Sequence, residues 1–185
     1  MKKLLAAALC AVLFVTGCAG SNLINLKFAP VGAGGATCSK TASVVRFADP
    51  NAGKSIGMRE GNVALYAANM EVGEWVAKAV KTQLAAIGCT AEYHDADGVF
   101  KSDYTVVGSI TKCRVVQPSN TEVNVDLRFS VTVLKKGEKV FTYEYSSSVQ
   151  NKQLPSSTLV ADSMEQCLQE IMQKQVMPDL AKVMG

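Results

Sequence analysis

The clearest pattern in the chain is a strict alternation of apolar and polar side chains over residues 122–134. The apolar positions are Val123, Val125, Leu127, Phe129, Val131 and Val133, and the polar positions are Asn124, Asp126, Arg128, Ser130 and Thr132. A strand with one buried face and one wet face is typical of an antiparallel sheet. Residues 103–116 and 139–149 flank this segment across turn-forming residues, so the sequence predicts a three-strand meander.

Two other segments repeat their apolar side chains every three or four residues, which is the period of an α-helix. The first covers residues 70–87 and stops at Gly88, in the position usual for a helix-ending glycine. The second begins within residues 154–158, and Pro178 is expected to kink or restart it. Its inner stripe is Val160, Met164, Cys167, Leu168, Ile171 and Gln175. Trp75 and this methionine-bearing stripe are interpreted as core packing rather than as ligand-binding surfaces.

Weaker patterns predict shorter strands over residues 22–30, 43–48 and 90–94, while residues 63–69 fit either an extended segment or a loose helical turn. Together these elements predict an α+β fold. We expect a two-layer sandwich, with two helices packed on one face of a four- to five-stranded, largely antiparallel sheet. The open face of that sheet would carry Asn124, Asp126, Arg128 and Thr132.

The N-terminus carries a targeting signal. Lys2 and Lys3 precede an apolar run over residues 4–15, which suits a secretory signal but is shorter than the roughly 20 residues that span a membrane. Val15-Thr16-Gly17-Cys18 then matches the lipobox of bacterial lipoproteins, in which cleavage between Gly17 and Cys18 follows the attachment of a diacylglyceryl group to the cysteine thiol. An ordinary secreted protein with a chance Gly-Cys pair is the alternative.

The lipobox divides the chain into three parts. Residues 1–17 form the signal peptide, residues 18–41 form the lipidated N-terminus with a short strand and a glycine-rich connection, and residues 42–185 form one periplasmic α+β domain. Ala19 after the lipidated Cys18 favours the inner leaflet of the outer membrane, by resemblance to enterobacterial sorting rules. Two or more acyl chains would hold the protein stably at the membrane.

Composition argues against several other classes of protein. The chain has a formal charge of +3, and the part after the signal peptide carries 17 basic and 16 acidic residues without a basic run. This argues against nucleic acid as a partner. Residues 48–55 loosely fit a phosphate-binding loop, but residues 56–62 contain two glycines and no helical pattern, so nucleotide binding is not expected.

The four remaining cysteines, Cys38, Cys89, Cys113 and Cys167, invite disulfides in an oxidising compartment, with three possible connectivities. In the alternative, Cys113 and Cys167 are small buried hydrophobic residues. His94, Asp95 and Asp97 lie together in a predicted turn, but three residues lack the ligand count of a metal site. No metal or other cofactor is therefore expected.

The chain resembles the YajG-type lipoproteins and, more distantly, the auxiliary lipoproteins of envelope transport systems. The motifs are the lipobox, Ile24-x-Leu26-x-Phe28-x-Pro30, Val45-x-Phe47-x-Asp49 with Ile56-Gly57, Trp75-Val76, Asp103-Tyr104-x-Val106-x-Gly108-x-Ile110 and Val125-Asp126-Leu127. The resemblance implies an outer-membrane lipoprotein that faces the periplasm, and it brings no chemistry with it.

These observations favour a non-catalytic accessory or binding module of the cell envelope, held to the membrane through acylated Cys18. Its further partner would be an envelope protein complex or a lipid. One alternative is a structural subunit that docks a partner through an open sheet edge or face. The other is an envelope hydrolase. A serine triad would have to use His94, the single histidine of the chain, without a G-x-S-x-G motif, and no spacing singles out a pair of carboxylates. We do not expect the protein to be an enzyme.

Overall fold

The computed structural model describes residues 21–32 and 38–185. The signal peptide, the lipobox with Gly17 and Cys18, and most of the glycine-rich connection lie outside these residues. The strands are β1 (Leu23–Ile24), β2 (Thr41–Val45), β3 (Gly57–Arg59), β4 (Val63–Ala67), β5 (Thr90–His94), β6 (Tyr104–Ser119), β7 (Glu122–Lys135) and β8 (Glu138–Lys152). The helices are α1 (Val72–Ala86), α2 (Leu159–Ile171) and α3 (Met177–Met184).

The predicted meander is confirmed. Strands β6, β7 and β8 pair antiparallel along almost their whole lengths. The six apolar residues of the β7 alternation are at most 2% exposed and share one core with both helical segments. Within that core the Phe129 ring lies 6.1 Å from the Phe47 ring and 6.1 Å from the Tyr145 ring, measured between centroids.

The sheet is larger than predicted. It has eight strands in the described part of the chain, rather than four to five. One edge of β6 is shared by two strands, since β2 pairs with its beginning and β3 with its end, both parallel. The pairs β2–β5 and β1–β4 are also parallel, so the sheet is antiparallel mainly in the meander. Strands β1 and β3 have only two and three residues, too few to show a period of two.

Strand β3 depends on Gly57. A Cβ atom at this position would lie 2.0 Å from the carbonyl oxygen of Val115, because β3 and β6 approach each other closely there. Residues 63–67, whose sequence left two interpretations open, form strand β4 antiparallel to β3.

Both predicted helices are confirmed. α1 stops before Gly88, whose φ of 95° suits glycine. α2 continues through a π-helical turn (Met172–Val176) into α3, with Pro178 at the start of α3, so the helix restarts there as expected. The π turn leaves Gln175 half-buried, where its Nε2 donates to the Ser146 carbonyl at 2.9 Å.

Trp75 and Met164 are buried in the core, as predicted. No helix in the described residues is long and apolar enough to cross a membrane.

The predicted strand over residues 22–30 is mostly not a strand. Its alternation does mark buried side chains, because Ile24 and Leu26 are in the core and Phe28 packs against it. Beyond Ile24, however, the backbone forms no strand ladder. We call residues 21–32 the N-terminal strap, because side chains of other elements hold it across the surface.

Candidate functional site

Amide side chains take the place of a neighbouring strand along the N-terminal strap. Asn69 accepts from the Leu26 N–H and donates to the Leu26 carbonyl, both at 2.8 Å. Gln83, which is fully buried, accepts from the Val31 N–H at 3.0 Å and donates to the Val31 carbonyl at 2.6 Å. The Trp75 indole donates to the Lys27 carbonyl at 2.8 Å. The strap is therefore fixed to α1 and to the loop before it.

The strap is also bound to α2. Glu165 accepts from the Ala29 N–H at 2.8 Å, and Gln169 donates to the Ala29 carbonyl at 3.0 Å. The Lys27 ammonium lies 2.6 Å from Asp162 and 3.4 Å from Glu165. A force applied at the start of the strap would thus be transmitted to α1 and α2.

This contact has a pH dependence that can be measured. The Lys27 ammonium, and next the Thr158 hydroxyl, hold the pKa of Asp162 below its ordinary value. A carboxyl with a lowered pKa in the folded state stabilises above its unfolded pKa, and this stability is lost as the pH falls through the folded value. We expect Asp162→Asn to lower the urea midpoint at pH 7 and to have little effect well below about pH 4. Equal effects at both pH values would contradict this role.

The strap starts at one end of the molecule, which we call the Ser21 end. Four other segments meet there: the end of β3, the 3-10 turn Glu60–Asn62, the β6–β7 turn at Asn120, and the loop before α2. The Arg59 guanidinium Nη2 donates to the Ser21 carbonyl at 2.8 Å, which connects β3 to the start of the strap. A cavity of about 360 Å³ lies between these segments, bounded by Ser21, Ile24, Arg59, Gln117, Asn120, Pro155–Ser157 and Val160.

A second cavity, of about 550 Å³, adjoins the same end. It lies between residues 55–62 and residues 113–118, and it shares Arg59 and Gln117 with the first cavity. Gln117 is 8% exposed, and its Oε1 is buried without a hydrogen-bond partner in the described residues. A buried amide oxygen of this kind usually has a partner, so a water molecule or a polar ligand group fits here.

Exposed apolar side chains are concentrated at the Ser21 end. The described residues expose eight large apolar side chains. Five of them lie on β1, β3, β4 and the loop before α2: Leu23, Met58, Val63, Tyr66 and Leu154. Leu23 pairs directly with Tyr66, so both point to the same face of the sheet. The other three, Val99, Val140 and Tyr143, lie near the start of β6 or on β8.

The predicted cysteine sites separate into two kinds. Cys38 and Cys89 form a disulfide with an S–S distance of 1.98 Å. Cys113 and Cys167 carry free thiols. Burial raises the pKa of Cys113 to about 12 and that of Cys167 to about 12, so both are protonated at neutral pH and neither is an activated nucleophile.

Ring stacking and a hydrogen bond involve the side chains around His94. The His94 ring stacks on Phe100 at 4.1 Å between centroids, and Asp95 accepts from the Tyr93 hydroxyl at 2.7 Å. Among the residues with described positions, no group of three His, Cys, Asp or Glu side chains could hold a metal ion. Residues 48–55 lead into β3 and not into a helix, so they lack the helix N-terminus of a phosphate-binding loop.

The open face of the meander carries paired polar side chains, as the alternation predicts. Asp126 accepts from Ser148 at 2.6 Å and from Lys112 at 3.0 Å, and these bonds hold the pKa of Asp126 below its ordinary value. Thr132 and Thr142 are joined by a hydrogen bond at 2.9 Å. A face satisfied in this way is a solvated surface rather than a reactive one.

The fold is similar to that of a solved bacterial protein of low sequence identity, and two further solved structures align with it only weakly. Protein XCC0632 of Xanthomonas campestris, a DUF330 protein, aligns with a TM-score of 0.59 and 11% identity over 87% of this chain and 98% of its own. A candidate lipoprotein of Caulobacter crescentus CB15 aligns with a TM-score of 0.43 and 14% identity over 70% and 90%. Uncharacterized lipoprotein B of Nitrosomonas europaea aligns with a TM-score of 0.38 and 12% identity over 85% and 89%.

Two of these proteins are named as lipoproteins. The sequence identity to XCC0632 is only 11%, so that likeness shows the fold alone. No family model matches the chain, and no curated protein matches it either. The resemblance to YajG-type lipoproteins therefore stays a prediction.

Proposed function

We propose that the protein is a lipid-anchored lipoprotein of the outer membrane that faces the periplasm and serves as a non-catalytic accessory or binding module of the cell envelope. The observation that carries the proposal is the sequence Val15-Thr16-Gly17-Cys18 after a short apolar signal. Only a thiol can accept the diacylglyceryl group through a thioether bond, so Cys18 is the attachment residue. Palmitate or a similar acyl chain would then be attached to its amine.

The way the strap is held supports this proposal. Side chains of α1 and α2 bind the strap along its length, so the domain is held in a fixed position relative to the start of its tether. The two cavities that share Gln117 give the module a place for a small polar or amphipathic ligand near the anchor. The proposal assigns no reaction to the protein.

The anchor is tested by Cys18→Ala. We expect the parent to carry a mature N-terminus at residue 18 with the added mass of its acyl chains, and to fractionate with the outer membrane. The variant should keep residues 1–17 and lose the acyl mass completely. Cys10→Ala is the matched control, because Leu9 before it is too bulky for lipoprotein processing. Measurement is by intact-protein mass spectrometry and membrane fractionation. A processed, unacylated parent would refute the anchor.

A structural docking subunit is the alternative, and one observation favours it. Strand β8 (Glu138–Lys152) pairs only with β7 within the described chain, so its outer edge can accept a strand from a partner. Native mass spectrometry of the full lipoprotein, extracted in mild detergent, separates the two functions. A co-purifying protein indicates a subunit, and a lipid of discrete mass beyond the anchor indicates a binding module.

A further inference from the structure

We infer that the Ser21 end of the domain is itself a membrane-contacting surface, which places its exposed apolar side chains in the interfacial layer of the bilayer that holds Cys18. This inference rests on the proposed lipid anchor and goes beyond it, since a tethered domain need not touch the membrane. The contact surface consists of Leu154, Leu23, Met58 and Tyr66.

The tether between the lipid anchor and the domain is short. Cys18 and Ser21 are separated by three residue steps. An extended chain spans at most roughly 3.6 Å per residue, so the Cα of Ser21 lies within about 11 Å of the Cα of Cys18. The acylated cysteine sits at the membrane surface. The Arg59 contact to the Ser21 carbonyl then keeps the end of β3 at the same level.

Exposed apolar side chains lie close to the start of this tether. Leu23 is two residues after Ser21, and it is 55% exposed. Leu154 is 86% exposed and precedes Pro155, which lines the same cavity as Ser21. Met58 pairs with Ala64 in the next strand and is 54% exposed, on the same sheet face as Tyr66. Exposed leucine and methionine at headgroup depth gain free energy by entering the interface, and tyrosine suits the same depth.

The opposite end of the molecule lies far from this tether. Strand β6 has 16 residues, so its two ends are separated by at most roughly 50 Å at about 3.3 Å per residue. Its last residues lie at the Ser21 end, whereas Val99 is fully exposed and lines a cavity with Thr41 and Ser102 beside its first residues. A bilayer that holds Cys18 cannot reach Val99 in this orientation. Val99 is therefore a matched control for Leu154.

The experiment compares Leu154→Trp with Val99→Trp in the full acylated lipoprotein. Each is reconstituted into phosphatidylethanolamine–phosphatidylglycerol vesicles whose acyl chains carry bromine, which quenches tryptophan on contact. The signal of buried Trp75 is subtracted with the parent protein. We expect roughly twofold quenching and a blue-shifted emission for Leu154→Trp, because indole partitions into the interface. Val99→Trp should behave as a solvent-exposed indole with no quenching.

Each outcome decides the inference. Equal fluorescence of the two variants on vesicles that retain the protein would refute membrane contact while leaving the lipid anchor intact. A blue shift without quenching would show that a second copy or another protein covers this end, which also refutes it. Failure of the parent to float with the vesicles would refute the anchor and the inference together. If circular dichroism shows that Leu154→Trp is misfolded, Leu23→Trp replaces it with the same expectation.

Discussion

Removing the disulfide between Cys38 and Cys89 is expected to lower the free energy of unfolding by about 4 kcal/mol, the loop-entropy value for a loop of this length. The bond closes a loop with a sequence separation of 51, which contains β2, β3, β4 and α1. Its surroundings are already ordered, since the Cys38 N–H donates to the Ile87 carbonyl at 2.8 Å. Release of the bond is therefore expected to change the native state little, while it increases the conformational entropy of the unfolded chain.

The measurement is urea unfolding of the parent and of a Cys38→Ser, Cys89→Ser double variant. A reductant should lower the stability of the parent by the same amount and leave the double variant unchanged. Cys113→Ser controls for the removal of a thiol, because this residue forms no disulfide. If the reductant destabilises the double variant as much as the parent, the stabilising bond lies elsewhere.

The elements with a long hydrophobic period could be predicted from the sequence, and the short ones could not. Strand β7 offers six apolar positions in alternation, and α1 together with Ile87 after it offers five at helical spacing, so each pattern repeats often enough to identify its element. Strand β3 has three residues, one of which is Gly57. It is a strand because β6 offers its edge there, and that edge becomes available only after the chain has folded.

The strap illustrates a different limit of sequence reasoning. Its alternation at Ile24 and Leu26 marks burial correctly, but burial alone does not identify the hydrogen-bond partner of the backbone. The partners are Asn69 and Gln83, which are 43 and 52 residues away from Leu26 and Val31. Nothing local in the sequence connects them. A buried glutamine on the apolar side of a predicted helix is the signal that would have indicated such a contact.

The parts of the candidate site also differ in how far the sequence predicts them. The lipobox is a contiguous signal, so Cys18 could be predicted from four adjacent residues. The Ser21 end is made of five separate segments, and the unpartnered Oε1 of Gln117 has no meaning until β3 lies beside β6. Nothing in the sequence distinguishes Leu154 and Met58 from other apolar residues, and only the fold shows that both are exposed.

The strap contacts lead to the second large expected effect, a loss of about 4 kcal/mol of unfolding free energy in an Asn69→Ala, Gln83→Ala double variant. The two side chains make four hydrogen bonds to the strap backbone, at 2.6 to 3.0 Å. Gln83 is fully buried, so its loss also leaves the Val31 N–H and carbonyl without their partners. A net bond contributes about 1 kcal/mol, and an orphaned buried group costs more.

Urea unfolding gives the size of this loss, and hydrogen exchange gives its location. The amides of Leu26 and Val31 should exchange much faster in the double variant, while those of β7 should change only as far as global stability falls. Gln173→Ala is the matched control, because Gln173 is exposed on the C-terminal helical segment and should alter neither quantity. Unchanged protection of Leu26 and Val31 would show that the backbone of the strap is held by something other than these amides. Faster exchange confined to the strap, with little global loss, would show that the strap opens on its own while the rest of the core stays folded.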